Sequence, residues 1–180
     1  MNEEETRESL RRFINDWRSL IGADPAQLSL VQSQNQSDGT KLANYEQRPF
    51  RYPLRGDYGK LQIHFTTDRR MLNLSSTCIP DTERIQTELS SVTPQMTSEE
   101  AVKRVQDNGL TYTDANNNQQ SFKPTADNKP NARELVIFVL PSNARTDALE
   151  FHLAWEIDLT NAPIKTVYLD AVKANIIAVR

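Results

Sequence analysis

The run from Leu149 to Leu159 alternates apolar and polar or small side chains at every position. Its odd positions are apolar: Leu149, Phe151, Leu153, Trp155, Ile157 and Leu159. Its even positions are Glu150, His152, Ala154, Glu156 and Asp158. Because successive side chains of a β-strand point to opposite faces, this pattern predicts a half-buried antiparallel strand, with one face toward a core and the other toward water.

Three further segments are also predicted to be β-strands. Leu135 to Leu140 is apolar on both faces, which predicts a central strand. Thr166 to Ala171 and Ile176 to Val179 are short and rich in β-branched residues, which predicts two further strands. We expect Leu149–Leu159 to lie beside Ile164–Ala171 in one antiparallel sheet.

A helix is predicted directly after Thr97. In Thr97-Ser-Glu-Glu100 the threonine hydroxyl can accept from a backbone N–H three residues on, while the glutamate reaches back to the threonine N–H. Ala101, Val102 and Val105 then supply the buried apolar stripe, and Asn108-Gly109 ends the helix. We expect this helix to cover the apolar side of the sheet.

In the first half of the chain, the spacing of apolar residues predicts one helix followed by strands. Apolar residues recur at helical spacing within residues 1–24, and we expect them all to face a core: Leu10, Phe13, Ile14, Trp17, Leu20 and Ile21. Further on, Leu61, Ile63 and Phe65 alternate with polar residues, which predicts the first strand of a hairpin. The return strand places four side chains on one face: Leu72, Leu74, Ser76 and Cys78.

The segment 113–133 is rich in Asn and Gln and poor in apolar residues. Such a composition cannot bury much surface, so it predicts a long mobile loop with a short strand at Gln120 to Lys123.

These patterns together predict an α+β fold with two small lobes, each a helix packed on a curved antiparallel sheet. Strands that follow one another between isolated helices argue against parallel βαβ units. The predicted organisation is an N-terminal amphipathic helix in 1–24, a β-rich lobe in 25–93 and a second lobe in 94–180 that carries the polar insert.

Composition excludes some classes of partner. The chain has 180 residues and a net charge of −3, so it has no basic excess to attract nucleic acid. Its apolar runs fall short of the roughly 20 residues of a membrane helix, so no membrane insertion is expected. Cys78 is the single cysteine, which excludes an internal disulfide, and we interpret it as a small buried thiol in an apolar strand.

The two ends of the chain carry expectations of their own. The acidic start, Met1 to Glu5, lacks the apolar region of a signal peptide, which fits a cytosolic protein or one whose export signal was removed. The last residues stop inside an apparent strand, so we expect the chain to be part of a longer protein.

Side chains that could carry a reaction are few. His152, Glu150 and Glu156 share one face of a predicted strand, where they would suit a metal ion or simply a solvated surface. One histidine with flanking acids is a poor zinc site, so the solvated surface is the favoured interpretation. We predict no catalytic, cofactor-binding or metal-binding residues, no cofactor, and no enzymatic activity.

Four motifs, in order, resemble a PepSY domain of the pro-regions of thermolysin-like metalloproteases. They are Thr97-Ser-Glu-Glu-Ala-Val102, Glu134-Leu-Val-Ile-Phe138, Leu153-Ala-Trp-Glu-Ile157 and Val167-Tyr-Leu-Asp-Ala171. Upstream, Gly59-Lys-Leu-Gln-Ile-His-Phe65 and the return strand to Pro80 resemble the fungalysin/thermolysin propeptide domain.

The chain departs from this family in three places. The family has a glycine just after Asp-Ala, whereas here the turn reads Val172-Lys-Ala-Asn175, in which we expect Asn175 to take the left-handed conformation. The upstream half lacks the glycine-rich segment that precedes the first hairpin. The sequence also contains no His-Glu-x-x-His motif of a zinc peptidase.

The resemblance implies a non-catalytic binding module that inhibits or chaperones a peptidase, in the same chain or a separate one. It also implies an extracellular, periplasmic or cell-envelope location. The alternative is a structural or interaction module of a secreted or cell-envelope protein with no peptidase role. Trp155, Tyr168 and Asp170 are the family-motif and candidate partner-contact positions. Their simpler interpretation is that Trp155 and Tyr168 anchor the core, while Asp170 accepts backbone hydrogen bonds in the last turn.

Overall fold

A computed structural model describes residues 3–180, so Met1 and Asn2 of the predicted 1–24 segment lie outside the described residues. The predicted α+β class is confirmed: helices alternate with antiparallel sheets. The chain divides into two compact units, Met1–Gln86 and Thr87–Arg180. The domain boundaries given above stay predictions, because compactness does not show that a segment folds by itself.

The first unit begins with two helices and continues with five strands. The helices are α1, Glu3–Asp16, and α2, Arg18–Ile21, followed by a 3₁₀ turn, Pro25–Gln27. The strands are β1, Leu28–Asn35; β2, Lys41–Gln47; β3, Leu54–Gly56; β4, Lys60–Phe65; and β5, Met71–Ser76. Four of them form an antiparallel sheet in the order β1-β2-β4-β5. Helix α3, Thr82–Ser90, contains the division between the units.

The apolar stripe of α1 packs on this sheet only as far as Ile14. Leu10 and Ile14 are buried in a core with Ile63. The expectation that Trp17 and Leu20 join this core is wrong, since they are 51% and 68% exposed. The reason is local: the backbone at Trp17 leaves the helical region, so the 3.6-residue period is interrupted there.

The return strand β5 also departs from its predicted face. The register pairs Phe65 with Met71 and His64 with Asn73, so Leu72 lies in a bulge. A bulge inserts one unpaired residue and re-aims its side chain. Leu72 is therefore 52% exposed, and Met71 packs against the core with Leu74 instead.

The second unit contains a helix, a separate two-stranded hairpin and four strands of one antiparallel sheet. The elements are α4, Ser98–Asn108; β6, Leu110–Thr113; β7, Gln119–Phe122; a 3₁₀ turn, Ala126–Asn128; β8, Asn131–Pro141; β9, Leu149–Asp158; β10, Thr166–Asp170; and β11, Ile176–Val179. Strands β11-β10-β9-β8 follow one another in that order in an antiparallel arrangement, and β6 pairs with β7.

The short strand predicted at Gln120 to Lys123 is confirmed as β7, but the long loop predicted around it in 113–133 is wrong, because a hairpin and a 3₁₀ turn occupy much of it. Asp114 accepts the backbone N–H groups of Asn116 and Asn118 and closes the turn of the β6–β7 hairpin. Asn128 is buried and donates to the carbonyls of Thr160 and Asn161. Side-chain bonds to the backbone thus give local order where apolar residues are scarce.

Helix α4 begins and packs as its sequence predicts. The Thr97 hydroxyl accepts the Glu100 N–H at 3.3 Å, and the Glu100 carboxylate accepts the Thr97 N–H at 2.8 Å. Ala101 and Val105 are fully buried in one cluster with Ile157 of β9 and with residues of β10. The helix therefore covers one face of the β9–β10 pair.

We expect Thr97→Ala to lower the free energy of unfolding by about 1 kcal/mol, because the Glu100 N–H at the start of α4 loses its side-chain acceptor. Thr97→Ser is the matched control, since it keeps the accepting oxygen and should stay within a few tenths of a kcal/mol of the parent. Urea denaturation followed by far-UV circular dichroism measures both. Equal losses in the two variants would contradict the capping role.

Candidate functional site

The β9–β10 pair separates its side chains onto two faces. The predicted neighbourhood of these strands is confirmed, with Trp155 opposite Leu169 and Glu156 opposite Tyr168. Odd-numbered residues of β9 face α4, and the even-numbered ones lie on the other side, which we call the polar face. This face comprises the side chains of β8, β9 and β10 that lie opposite α4.

The prediction that the polar face is solvated holds for Glu150, which is exposed, and is wrong for most of this face. Ala154, Glu156, Tyr168 and Asp170 on this face are buried. Ala154 and Tyr168 form an apolar cluster with Val136 and Phe138, which β8 contributes to the same face. The alternation in β9 alone could not reveal this, because the apolar side chains come from the neighbouring strands.

Trp155 lies on the α4 side, apart from the other two predicted positions. It is half-buried, and its Nε1–H donates to the Met96 carbonyl at 3.2 Å. Met96 directly precedes the cap of α4 and packs on the same core. The tryptophan thus ties strand β9 to the start of the helix, which agrees with its predicted anchoring role.

Tyr168 lies on the polar face and is 6% exposed. Its hydroxyl donates to Glu156 Oε1 at 2.9 Å, and its ring centroid is 4.4 Å from that of Phe138. Glu156 is almost completely buried, and Arg133 Nη1 lies 3.8 Å from its Oε2. A buried carboxyl group needs such partners, so Tyr168 and Arg133 account for the presence of Glu156 inside the sheet.

Asp170 ends β10 on the same face, with 3% exposure. One carboxylate oxygen accepts the N–H groups of Val172 at 2.9 Å and Lys173 at 2.8 Å. The other lies 2.9 Å from His152 Nδ1. Burial opposes ionisation, but the hydrogen bonds from Lys173, His152 and Val172 outweigh it and lower the pKa of Asp170. The predicted hydrogen-bonding role in the last turn is confirmed.

In the turn after Asp170, the left-handed conformation is adopted by a different residue from the one expected. Ala174, with φ of 61°, takes the left-handed conformation, and Asn175 does not. The Asp170 N–H donates to the Asn175 carbonyl, which fixes Asn175 in the ladder and moves the strained position one residue earlier. A left-handed alanine costs roughly 1–2 kcal/mol, and the two bonds to the Asp170 carboxylate offset this cost.

The polar face also carries a chain of four hydrogen-bonding groups that the sequence did not predict. Ser142 Oγ donates to Glu150 Oε1 at 2.7 Å, and Glu150 Oε2 lies 3.6 Å from His152 Nε2. His152 then joins Asp170 at 2.9 Å. The strand register is what brings His152 and Asp170 together. Asp170 pairs with Ala154, so His152 is its diagonal neighbour on the same face.

This chain does not form a nucleophile–base pair. Glu150 lies between the Ser142 hydroxyl and the His152 imidazole, and the hydrogen bond from Ser142 lowers the pKa of Glu150. In a catalytic triad, the nucleophilic hydroxyl is hydrogen-bonded directly to the imidazole. Glu156, the third member of the predicted metal-or-surface group, is bonded to Tyr168 instead.

Other reactive side chains have structural surroundings. Within residues 3–180, no three His, Cys, Asp or Glu side chains converge as a metal site would require. Cys78 is half-buried just after β5 instead of fully buried in a strand, and this burial raises the pKa of its thiol. Among the described helices, none combines the length and apolar character needed to cross a bilayer.

Comparison with known proteins adds little. No protein-family model matches the chain, and no curated protein matches it. Among solved structures, the Bacillus megaterium YpeB C-terminal domain is similar at 12% sequence identity and a TM-score of 0.37. The similarity covers 100% of this chain and 65% of that chain. A TM-score this low does not establish a common fold.

We expect Asp170→Ala to cost about 2–3 kcal/mol of unfolding free energy, because two backbone N–H groups and an imidazole lose their partner. Asp170→Asn is the control: its amide oxygen still accepts both N–H groups, so the loss should be about 1 kcal/mol. Chemical denaturation measures both variants. Equal effects would show that the turn does not depend on these bonds.

Stability should also depend on pH through Asp170. Its pKa is lowered below 3.8 in the folded chain, so the unfolded chain binds the proton more readily. The resulting stabilisation is present above pH 3.8 and is lost as the pH falls through the folded-state pKa. The parent should therefore lose stability more steeply than Asp170→Asn in acid denaturation monitored by fluorescence. Parallel curves would contradict this assignment.

Proposed function

We propose that the chain is a non-catalytic protein-binding module related to PepSY domains of protease pro-regions. The observation that carries the proposal is that the four motifs of the resemblance fold together in one unit. Helix α4 supplies the first motif, and β8, β9 and β10 supply the others as adjacent antiparallel strands. The proposal extends to a peptidase as the partner and to a location outside the cytoplasm.

The contacts of the ionisable groups support a non-catalytic role. Asp170 uses both carboxylate oxygens for backbone and imidazole contacts, and Glu156 accepts from Tyr168. Groups engaged in this way fasten strands and turns to one another. A reaction would require them to exchange these partners for a substrate, at the cost of buried unpaired charge.

The last turn is the surface that we propose for partner contact. Val172 at its tip is 39% exposed, and its N–H is held by Asp170. Tyr168 and Asp170 are buried, so we propose that they act by positioning this turn, whereas half-buried Trp155 has an edge that a partner can reach. A pre-ordered apolar side chain binds with a smaller entropic cost than a mobile one.

Titration of thermolysin-like peptidases with the purified 180-residue chain tests the peptidase hypothesis. We expect a concentration-dependent loss of activity and a complex on size-exclusion chromatography. Val172→Asp should weaken the complex at least about ten-fold, because a charge is desolvated at the contact, while leaving the melting temperature unchanged. Val31→Asp is the matched control, since Val31 is an exposed valine of the first unit.

A serine peptidase of unrelated fold, assayed in parallel, separates specific inhibition from competition by the chain as a substrate. Gel electrophoresis shows whether the chain is cleaved. Full activity and no complex with several thermolysin-like peptidases would remove the peptidase hypothesis. An effect of Val31→Asp equal to that of Val172→Asp would remove the proposed surface.

A second candidate function is a structural or interaction module of a secreted or cell-envelope protein. The polar hairpin β6–β7 of the Asn- and Gln-rich insert and the last turn, which departs from the family pattern, favour it. The sequence of the encoding gene discriminates the two: a zinc-peptidase motif after these residues supports the pro-region hypothesis, and repeats or anchoring segments support the structural one.

A further inference from the structure

Strand β1 forms one outer edge of the four-stranded sheet in the first unit. It pairs with β2 on its inner side, and within the described residues no strand of this sheet lies on its outer side. The five residues 31–35 at the end of the strand are all exposed. An edge of this kind presents unpaired backbone N–H and C=O groups, which can bond to a strand of another chain.

The register shows which backbone groups of β1 point outward. In the turn that joins β1 to β2, the Gln36 N–H donates to the Thr40 carbonyl at 2.8 Å. Hydrogen-bonded and non-hydrogen-bonded pairs alternate along an antiparallel ladder, so the even-numbered positions 32 and 34 bond to β2. The N–H and C=O groups of Ser33 and Asn35 therefore point away from β2, toward the outer side.

The sequence of this edge lacks the residues that usually prevent edge-to-edge pairing. The segment 28–37 contains no charged residue and no proline. A bulge at Val31 disturbs the first half of the strand, but residues 32–35 pair with β2 without interruption. Two copies of the chain can therefore meet at this edge without bringing like charges together, although each carries a net charge of −3.

The face of this sheet away from α1 carries a row of amide side chains, which we call the amide row. It consists of Gln32 of β1, Asn44 of β2 and Gln62 of β4, which lie opposite one another in the register. Gln62 Nε2 donates to Asn44 Oδ1 at 2.9 Å, and Asn44 Nδ2 donates to Gln32 Oε1 at 3.2 Å. The donation runs toward the outer edge, so the Gln32 Nε2 group ends the row as a donor directed to whatever lies beyond β1.

We propose that β1 pairs antiparallel with β1 of a second copy of this chain, with Ser33 on the two-fold axis, so that two sheets become one. In this register Gln32 of each copy lies opposite Gln34 of the other, on the face of the amide row. Gln32 Nε2 then donates to Gln34 Oε1 of the other copy, and the amide row continues across the axis.

The choice of a second copy as the partner follows from this complementarity. A two-fold interface requires one surface that carries both the donor and its acceptor, placed symmetrically about the axis. Gln32 and Gln34 meet this requirement on either side of Ser33, and Ser33 supplies a backbone N–H and C=O that bond to the same groups of the other copy. The dimer is independent of the proposed peptidase contact, because it uses residues of the first unit alone.

Sedimentation velocity of the whole chain tests the proposal, from about 5 μM to about 500 μM, the range in which a small interface dissociates. We expect the mass to rise from that of a monomer toward that of a dimer and no further. Ser33→Lys should weaken the dimer about five-fold or more, because two ammonium groups meet at the axis. Asn73→Lys is the matched control, since Asn73 is an exposed residue of β5, the opposite edge of the same sheet. Both variants should keep the melting temperature of the parent at the lowest concentration.

Cysteine cross-linking tests the register. In a Cys78→Ser background, Ser33→Cys should give a disulfide-linked dimer under mild oxidation, because residues opposite each other on such an axis have Cα atoms about 5.5 Å apart. Asn73→Cys in the same background is the control and should stay monomeric on a non-reducing gel.

Four results would overturn the proposal. They are a monomer at every concentration, equal weakening by Ser33→Lys and Asn73→Lys, cross-linking of Asn73→Cys as readily as Ser33→Cys, and growth beyond a dimer. The last result would show that β1 pairs with a different edge of the next copy, which forms an open assembly instead of a two-fold one.

Discussion

The antiparallel register between β9 and β10 decides how the second unit is built. It places Trp155 opposite Leu169 and Glu156 opposite Tyr168, so one face is apolar under α4 and the other carries the hydrogen-bonding groups. A slip of one residue would turn Glu156 toward the helix and the apolar residues away from it. The register is therefore held both by the core against α4 and by the cross-strand bond between Tyr168 and Glu156.

The polar face shows how charge is accommodated inside a small sheet. Asp170 is fixed by two backbone N–H groups and by His152, and Glu156 by a tyrosine hydroxyl. Each buried carboxylate has more than one contact, and this number of contacts compensates for its desolvation. The same bonds determine the geometry of the last turn, so structural stability and the proposed contact surface share one set of interactions.

The sequence by itself determined the elements whose signals are local. The capping residues Thr97 and Glu100 fixed the start of α4, and the strict alternation from Leu149 fixed β9, because both depend on neighbours within a few positions. Only the tertiary structure decided that Glu156 is buried and that His152 meets Asp170. These features depend on which strands pair and in which register, and on side chains far away in sequence that no local pattern encodes.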